Sequence, residues 1–298
     1  MAGTGAGEAA RRYCLRCPGK DIELGPRTLV MGILNVTPDS FSDGGRYTTA
    51  ELAVARAEEM IREGADFIDV GGESTRPAGP YGDGAEAVTV EEEVRRTIPV
   101  VERLAGRIDV PISIDTAKAE VARLAVEAGA AIVNDISALR FDPAMAETVA
   151  QARVPVILMH MKGTPKTMQQ NPTYDDLIGD IRGFLAERAS AARDAGIEQI
   201  VLDPGLGFGK QITHNYEIVA RLDEFGSLGY PLLVGPSRKG FVGAVLKLPP
   251  EERLEGSLAA LALCAANGAH ILRVHDVGAS VRALAVADAI VHSVSDWA

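Results

Sequence analysis

The stretch PISIDTAKAEVARLAVEAGAAIVNDIS, residues 111–137, decides the fold. A short β-branched run from Pro111 gives way to an Ala- and Glu-rich segment of helical period, which stops at Gly129 before a second β-branched run from Ala131. Strand, helix and strand in that order predict a βα unit and a parallel sheet. The unit repeats outward in both directions. Comparable runs are VMGILNV from Val30, FIDVGG from Phe67, PVILMHM from Pro155, IVLDPG from Ile200, PLLVGPS from Pro231 and ILRVHD from Ile271, making eight strands. Several intervening helices are expected to end at Gly64, Gly129 and Gly268, the residue type that takes a left-handed stop without strain. No Gly-x-Gly-x-x-Gly follows the first strand, so a dinucleotide-binding start is unsupported. The run Gly205-Leu206-Gly207-Phe208-Gly209-Lys210 mimics a phosphate loop, but its spacing fails that pattern and Gln211 stands where a magnesium-binding Ser or Thr is needed. Eight such units without a break in composition predict an α/β protein, a single (β/α)8 TIM barrel spanning residues 28–298. Residues 1–27 are small, polar and irregular, and are expected to form an N-terminal tail with at most one short strand.

Composition narrows the function. The 298 residues carry 30 Lys+Arg against 41 Asp+Glu, a formal charge of −11, which argues against a surface that neutralises nucleic-acid phosphates. Any anion bound here needs a local basic site. Cys14, Cys17 and Cys264 cannot build a disulfide framework, and the Cys14-x-x-Cys17 pair lacks the further ligands of a zinc ribbon and the strand–helix setting of a redox motif. MAGTGAGEAARR has no apolar signal core, and no later run reaches the roughly 18 apolar residues of a membrane span, so the sequence reads as cytoplasmic.

In such barrels the active site lies at the C-terminal strand ends, and the residues closing the expected strands are consistently polar. They are Asn35, Glu73 with Ser74 and Thr75, Asp115, Asn134 with Asp135, His160, Asp203, Ser237 with Arg238 and Lys239, and Arg273 with His275. Strand alternation places Ile271, Arg273 and His275 on one face and Leu272 and Val274 on the other, so Arg273 and His275 point to the barrel axis. A guanidinium there needs either an anionic or planar ligand or an ion pair with Asp203 or Asp115. Asp115, Asp203 and Asn134 suit a ligand with fused donors and acceptors, such as a pterin or purine; a glycosidase carboxylate pair is the competing reading. Arg76, Arg238, Lys239 and Arg273 suggest a local anion site. The loops Thr37–Gly45, with Phe41 inside, and Ser74-Thr75-Arg76-Pro77 read as mobile lids or as ordinary turns.

These residues sit in MGILNVTPDSFSDGG at Met31, DVGGESTRP at Asp69, SIDT at Ser113, NDIS at Asn134, LMHM at Leu158, DPGLGFGK at Asp203, GPSRKGF at Gly235 and RVHDV at Arg273. In that order, from about Leu29 to Val291, the chain closely resembles the dihydropteroate synthase family. The resemblance implies a (β/α)8 barrel that joins 6-hydroxymethyl-7,8-dihydropterin diphosphate to p-aminobenzoate, releasing diphosphate in folate synthesis, and that is inhibited by sulfonamides. It implies that Asp115, Asn134, Asp203 and Lys239 hold the pterin, with Arg273 stacking on it and reaching the diphosphate. Asn35 and His275 would meet the diphosphate, Asn35 also ligating Mg²⁺, while Thr75, Arg76, Pro77, Phe41, Ser237 and Lys239 would shape the p-aminobenzoate pocket. Asp115, Lys239, Arg273 and His275 would carry the catalysis, and the enzyme would be a homodimer. Ala78 departs from the family's usual Gly after Thr-Arg-Pro and lengthens the second loop. A pterin-dependent methyltransferase domain and a non-catalytic pterin-binding module are the alternatives.

Overall fold

The computed structural model describes residues 11–37, 49–74 and 88–292. The described chain enters through an antiparallel hairpin, β1 (Tyr13–Cys17) and β2 (Lys20–Leu24), with Leu15 opposite Ile22. Strands and helices then alternate: β3 (Leu29–Asn35), α1 (Thr49–Arg62), β4 (Phe67–Gly71), α2 (Val90–Ala105), β5 (Ile112–Asp115), α3 (Ala119–Glu127), β6 (Ile132–Asp135) and α4 (Met145–Ala152). The second half continues with β7 (Val156–Met159), α5 (Leu177–Asp194), β8 (Ile200–Asp203), α6 (Ile212–Ala220), β9 (Leu233–Val234), α7 (Gly240–Leu246), α8 (Leu254–Ala266), β10 (Ile271–Val274) and α9 (Val277–His292). All eight expected strands form. Gly64, Gly129 and Gly268 take φ of +103°, +115° and +93° where their helices stop.

The sheet order β8-β7-β6-β5-β4-β3-β10-β9 is parallel throughout, and a bridge between Leu202 and Leu232 joins its two ends into a ring. Strand alternation sorts the side chains into two layers. Val30, Ile68, Val70, Ile112, Ile114, Val133, Val156, Leu158 and Ile200 face outward and pack under the helices. Leu29, Met31, Phe67, Ile132, Ile157, Val201, Leu233 and Ile271 face inward and fill the lower half of the barrel.

The hairpin completes that inner layer. Leu15, Cys17 and the fully buried Leu24 join the same apolar cluster, so β1 and β2 plug the N-terminal end of the barrel. Two paired strands thus stand where the sequence reading expects a largely irregular tail. The Arg16 amide donates to Gln199 Oε1 at 3.2 Å and Lys20 Nζ to the Asp109 carbonyl at 3.1 Å, pinning the plug to the barrel rim. The hairpin also settles the Cys-x-x-Cys pair: an odd spacing on a strand puts Cys14 on the exposed face and Cys17 in the core, where burial pushes its thiol up to about 12. Among the described residues, no helix is long and apolar enough to cross a membrane.

Candidate active site

At the opposite end the inward residues change character. Asn35, Gly71, Asp115 and Asn134 lie abreast on four neighbouring strands, because the register pairs Asn35 with Gly71, Gly71 with Asp115 and Asp115 with Asn134. Gly71 leaves open the space between its neighbours: a Cβ there would stand 3.6 Å from Asp115 Cβ and 3.9 Å from Asn35 Oδ1. Asn35 is exposed at the mouth, whereas Asn134 is buried.

One inward position below this level sits Asp69, fully buried. Arg273 reaches across from β10 and donates Nε–H to Asp69 Oδ2 at 2.6 Å and Nη2–H to Asp115 Oδ2 at 2.7 Å. Asn134 donates Nδ2–H to the same Asp69 oxygen at 3.1 Å. Arg273 thus points to the axis, as strand alternation requires, and its ion pairs are with Asp115 and Asp69, not Asp203. Burial pushes the Asp115 carboxyl above the ordinary range, and the Arg273 guanidinium opposes that shift.

On the facing wall, buried Asp203 accepts the Gly205 amide at 2.7 Å through Oδ1. Burial raises its carboxyl as well, against the pull of the Gly205 bond and of Lys239. The Lys239 ammonium lies 4.2 Å from the centre of the Phe208 ring, and burial pushes it down to about 8 although Asp203 favours its charged form. Its stem runs past Gly207, where an added Cβ would meet Lys239 Cδ at 3.2 Å. The glycines of this loop serve packing: at Gly205 a Cβ would fall 2.0 Å from the His160 carbonyl oxygen. Behind them Lys210 Nζ is held by His160 Nδ1 at 2.9 Å and the Phe208 carbonyl at 3.0 Å, and burial pushes this ammonium down to about 7.

Ser237 and His275 meet at the remaining edge. The His275 amide donates to Ser237 Oγ at 3.2 Å, and the hydroxyl lies 3.0 Å from His275 Nδ1. Burial, then the nearby Arg273 and Arg238, push the imidazole down to about 3, so it is neutral near pH 7. Arg238 is not part of a free anion site. It makes a bidentate pair with Asp276, at 2.9 and 2.5 Å, which ties the loop after β9 to the end of β10. Arg253 braces the same loop, donating Nη1–H to the Arg238 carbonyl at 3.0 Å.

The structure therefore brings Asn35, Asp115, Asn134, Asp203, Ser237, Lys239, Arg273 and His275 to one end of the barrel. Phe41, Thr75, Arg76, Pro77 and the lengthened segment from Ala78 lie outside the described residues, as do the two proposed lids beyond their first residues, Thr37 and Ser74. Two other strand-end candidates are structural. Asp135 faces outward and accepts the Ser137 and Leu139 amides at 2.7 and 2.8 Å, and Glu73 pairs with Lys118, which also pairs with buried Glu93. Sequence reasoning missed Asp69 and Lys210. The signal for Asp69 was available: in FIDVG it shares inward parity with Phe67 and Gly71, a lone charge in an otherwise apolar strand.

Residues 31–275 match the family described as pterin binding enzyme. Over 262 residues the chain is 52% identical to the dihydropteroate synthase of Escherichia coli (strain K12), covering 87% of this chain and 90% of that protein. The chain belongs to the dihydropteroate synthase family. Like other dihydropteroate synthases it is a transferase, condensing a dihydropterin diphosphate with p-aminobenzoate. It is similar in structure to the Xanthomonas albilineans dihydropteroate synthase with 4-aminobenzoic acid, at TM-score 0.87 and 49% identity, covering 94% of this chain and 98% of that one. A Yersinia pestis dihydropteroate synthase in a sulfonamide drug complex superposes at TM-score 0.88 with 46% identity, covering 95% of this chain and 100% of that one.

Proposed function

We propose that the condensation runs on the ring of inward side chains above the apolar plug, with the pterin seated between Asp115, Asn134 and Asp203. What carries this reading is that Asp115 and Asn134 are held side by side at the floor of the site, Asp115 by the Arg273 guanidinium and Asn134 by Asp69, with buried Asp203 on the facing wall. An aminopyrimidine edge donates parallel hydrogen bonds and meets carboxylates as a guanidinium does. Lys239 closes one side of the ring, and Arg273 stacks beneath it and reaches the diphosphate.

Neutral His275 contributes as a donor. Ser237 Oγ accepts the His275 amide and lies 3.0 Å from Nδ1; a Ser237 proton directed to Nδ1 would leave the ring proton on Nε2 for a diphosphate oxygen. Breaking the bond between the exocyclic carbon and the diphosphate oxygen sends the electron pair to the diphosphate, whose new charge faces Arg273 and His275. The electron-rich ring and the Asp115 carboxylate stabilise the resulting carbocation. The arylamine nitrogen then forms the new C–N bond and loses a proton, so no side chain acts as nucleophile. Ser237 and Lys239 line the arylamine side, and Phe41, Thr75, Arg76 and Pro77 are assigned there from the sequence resemblance.

Among the described residues no three His, Cys, Asp or Glu gather as a metal cluster. The exposed Asn35 amide oxygen at the mouth fits Mg²⁺ that keeps its waters and is held mainly by phosphate oxygens. Bound there, Mg²⁺ would disperse the negative charge of the leaving diphosphate. Sulfonamides would compete at the arylamine side, as the Yersinia pestis complex suggests. Exposed Leu263 on α8 and Val286 and Ile290 on α9 favour a homodimer through these helices, which light scattering tests. The deciding assay is incorporation of labelled p-aminobenzoate into 7,8-dihydropteroate by the purified protein, with and without Mg²⁺. We expect Mg²⁺-dependent product; turnover of the pterin without arylamine incorporation would overturn the reading.

A further inference from the structure

We propose that Asp69, beneath the pterin pocket, is a positioning residue that sets its selectivity by fixing which way the Asn134 amide faces. The inference rests on the pterin reading above. One oxygen of Asp69, Oδ2, takes both Nδ2–H of Asn134 at 3.1 Å and Nε–H of Arg273 at 2.6 Å. A carboxylate paired with a guanidinium accepts and does not donate, so the amide nitrogen must turn down onto Asp69. The Asn134 oxygen is then left for the bound ring. With Asp115 and Asp203 on either side, the pocket presents acceptors and demands a ligand edge that donates. Left to itself, an amide could satisfy a donating or an accepting edge by flipping its terminal group.

Asp69 and Asp115 are unequal partners of Arg273. The Asp69 side chain is 0% exposed and the Asp115 side chain 16%, so a ligand entering from the mouth meets Asp115 and not Asp69. Asp115 is placed to pass from Arg273 Nη2 to the ring, while Asp69 keeps the guanidinium by Nε. Asp69 Oδ1 and the register neighbour Ser113 Oγ have no hydrogen-bond partner among the described residues, so the pocket floor keeps polar atoms that a purely structural pair would have satisfied.

The test compares two ligands on the purified full chain by calorimetry: a pterin with its 2-amino group and the analogue carrying a 2-oxo group. The native protein should prefer the amino form, and Asp69→Asn, which is isosteric and lets the amide flip, should narrow that preference by about tenfold. Circular dichroism establishes that the variant is folded, and the KM for p-aminobenzoate should not move. In the Asn134→Leu background the same Asp69 substitution should no longer change the ratio, because the group it orients is gone. An unchanged ratio in folded Asp69→Asn overturns the inference. If that variant does not fold, Asn134→Leu alone decides: a preference as large as the native one overturns it equally. Binding of neither ring to the native protein would instead sink the pterin reading itself.

Discussion

The two ends of the barrel are made by the same strands with the same inward parity, yet they hold opposite chemistries two residues apart. Phe67 precedes Asp69, Ile132 precedes Asn134, Val201 precedes Asp203 and Ile271 precedes Arg273. Below, these side chains close a dry cluster with Leu15, Cys17 and Leu24 of the hairpin. Above, charged groups sit in the low-dielectric mouth that the cluster seals, which strengthens their interactions and shifts their ionisation. One layer supplies stability and the next supplies chemistry.

The sharpest way to break this comparison is a crossed pair of substitutions. Leu24→Ala removes a fully buried plug residue and should lower the unfolding free energy by about 2–5 kcal/mol while leaving kcat/KM essentially unchanged. Arg273→Lys keeps a cation opposite Asp69 and Asp115 but loses the planar fork, so kcat/KM should fall by roughly 10²-fold with a much smaller change in stability. Urea unfolding and steady-state kinetics on both variants decide; a slow but properly folded Leu24→Ala protein would mean that the layers are coupled.

Asp203→Asn probes the upper layer alone. The amide can present a donor where the aminopyrimidine edge also donates, and pterin affinity should drop by about 2–3 kcal/mol with little effect on p-aminobenzoate. Unchanged calorimetric affinity would reduce Asp203 to the loop cap it forms with Gly205.

A smaller effect separates ring from diphosphate. His275→Ala should weaken the pterin diphosphate by about tenfold and leave the bare pterin nearly untouched. Equal losses for both would remove His275 from the diphosphate.

The mildest test uses ionisation. Burial holds Lys210 down at about 7, against the ordinary lysine value of 10.5. Between those values the unfolded chain keeps a proton that the folded chain has released, so stability contributed by this group rises with pH across that window. Lys210→Met should flatten the rise, seen as a smaller gain in urea midpoint between pH 7 and pH 9.5. No lower-layer substitution should alter that slope, and Leu24→Ala is the control.

Much of the upper layer was legible because strand alternation is local. ILRVHD alone puts Arg273 and His275 inward, and the Gly stops mark where strands begin. The hairpin was not legible: YCLRC and KDIEL are short and interrupted by charged residues, and only Leu15, Cys17 and Leu24 betray a face that needs a barrel beneath it. Arg238 looked like part of an anion site since its partner Asp276 lies 38 residues away. Beyond Thr37 and Ser74 the lids fall outside the described residues.

Which residues each strand turns inward, and that polar ones end the strands, can be read from the chain alone, for these follow from a two-residue period and from turn chemistry within a few positions. Which of these residues meet depends on how the barrel closes. Arg273 and Asp69 stand 204 positions apart and touch because the ring closes through β10, β3 and β4. A charge entering a barrel interior must find its counterpart there, and no local pattern names that counterpart until the strands are placed side by side.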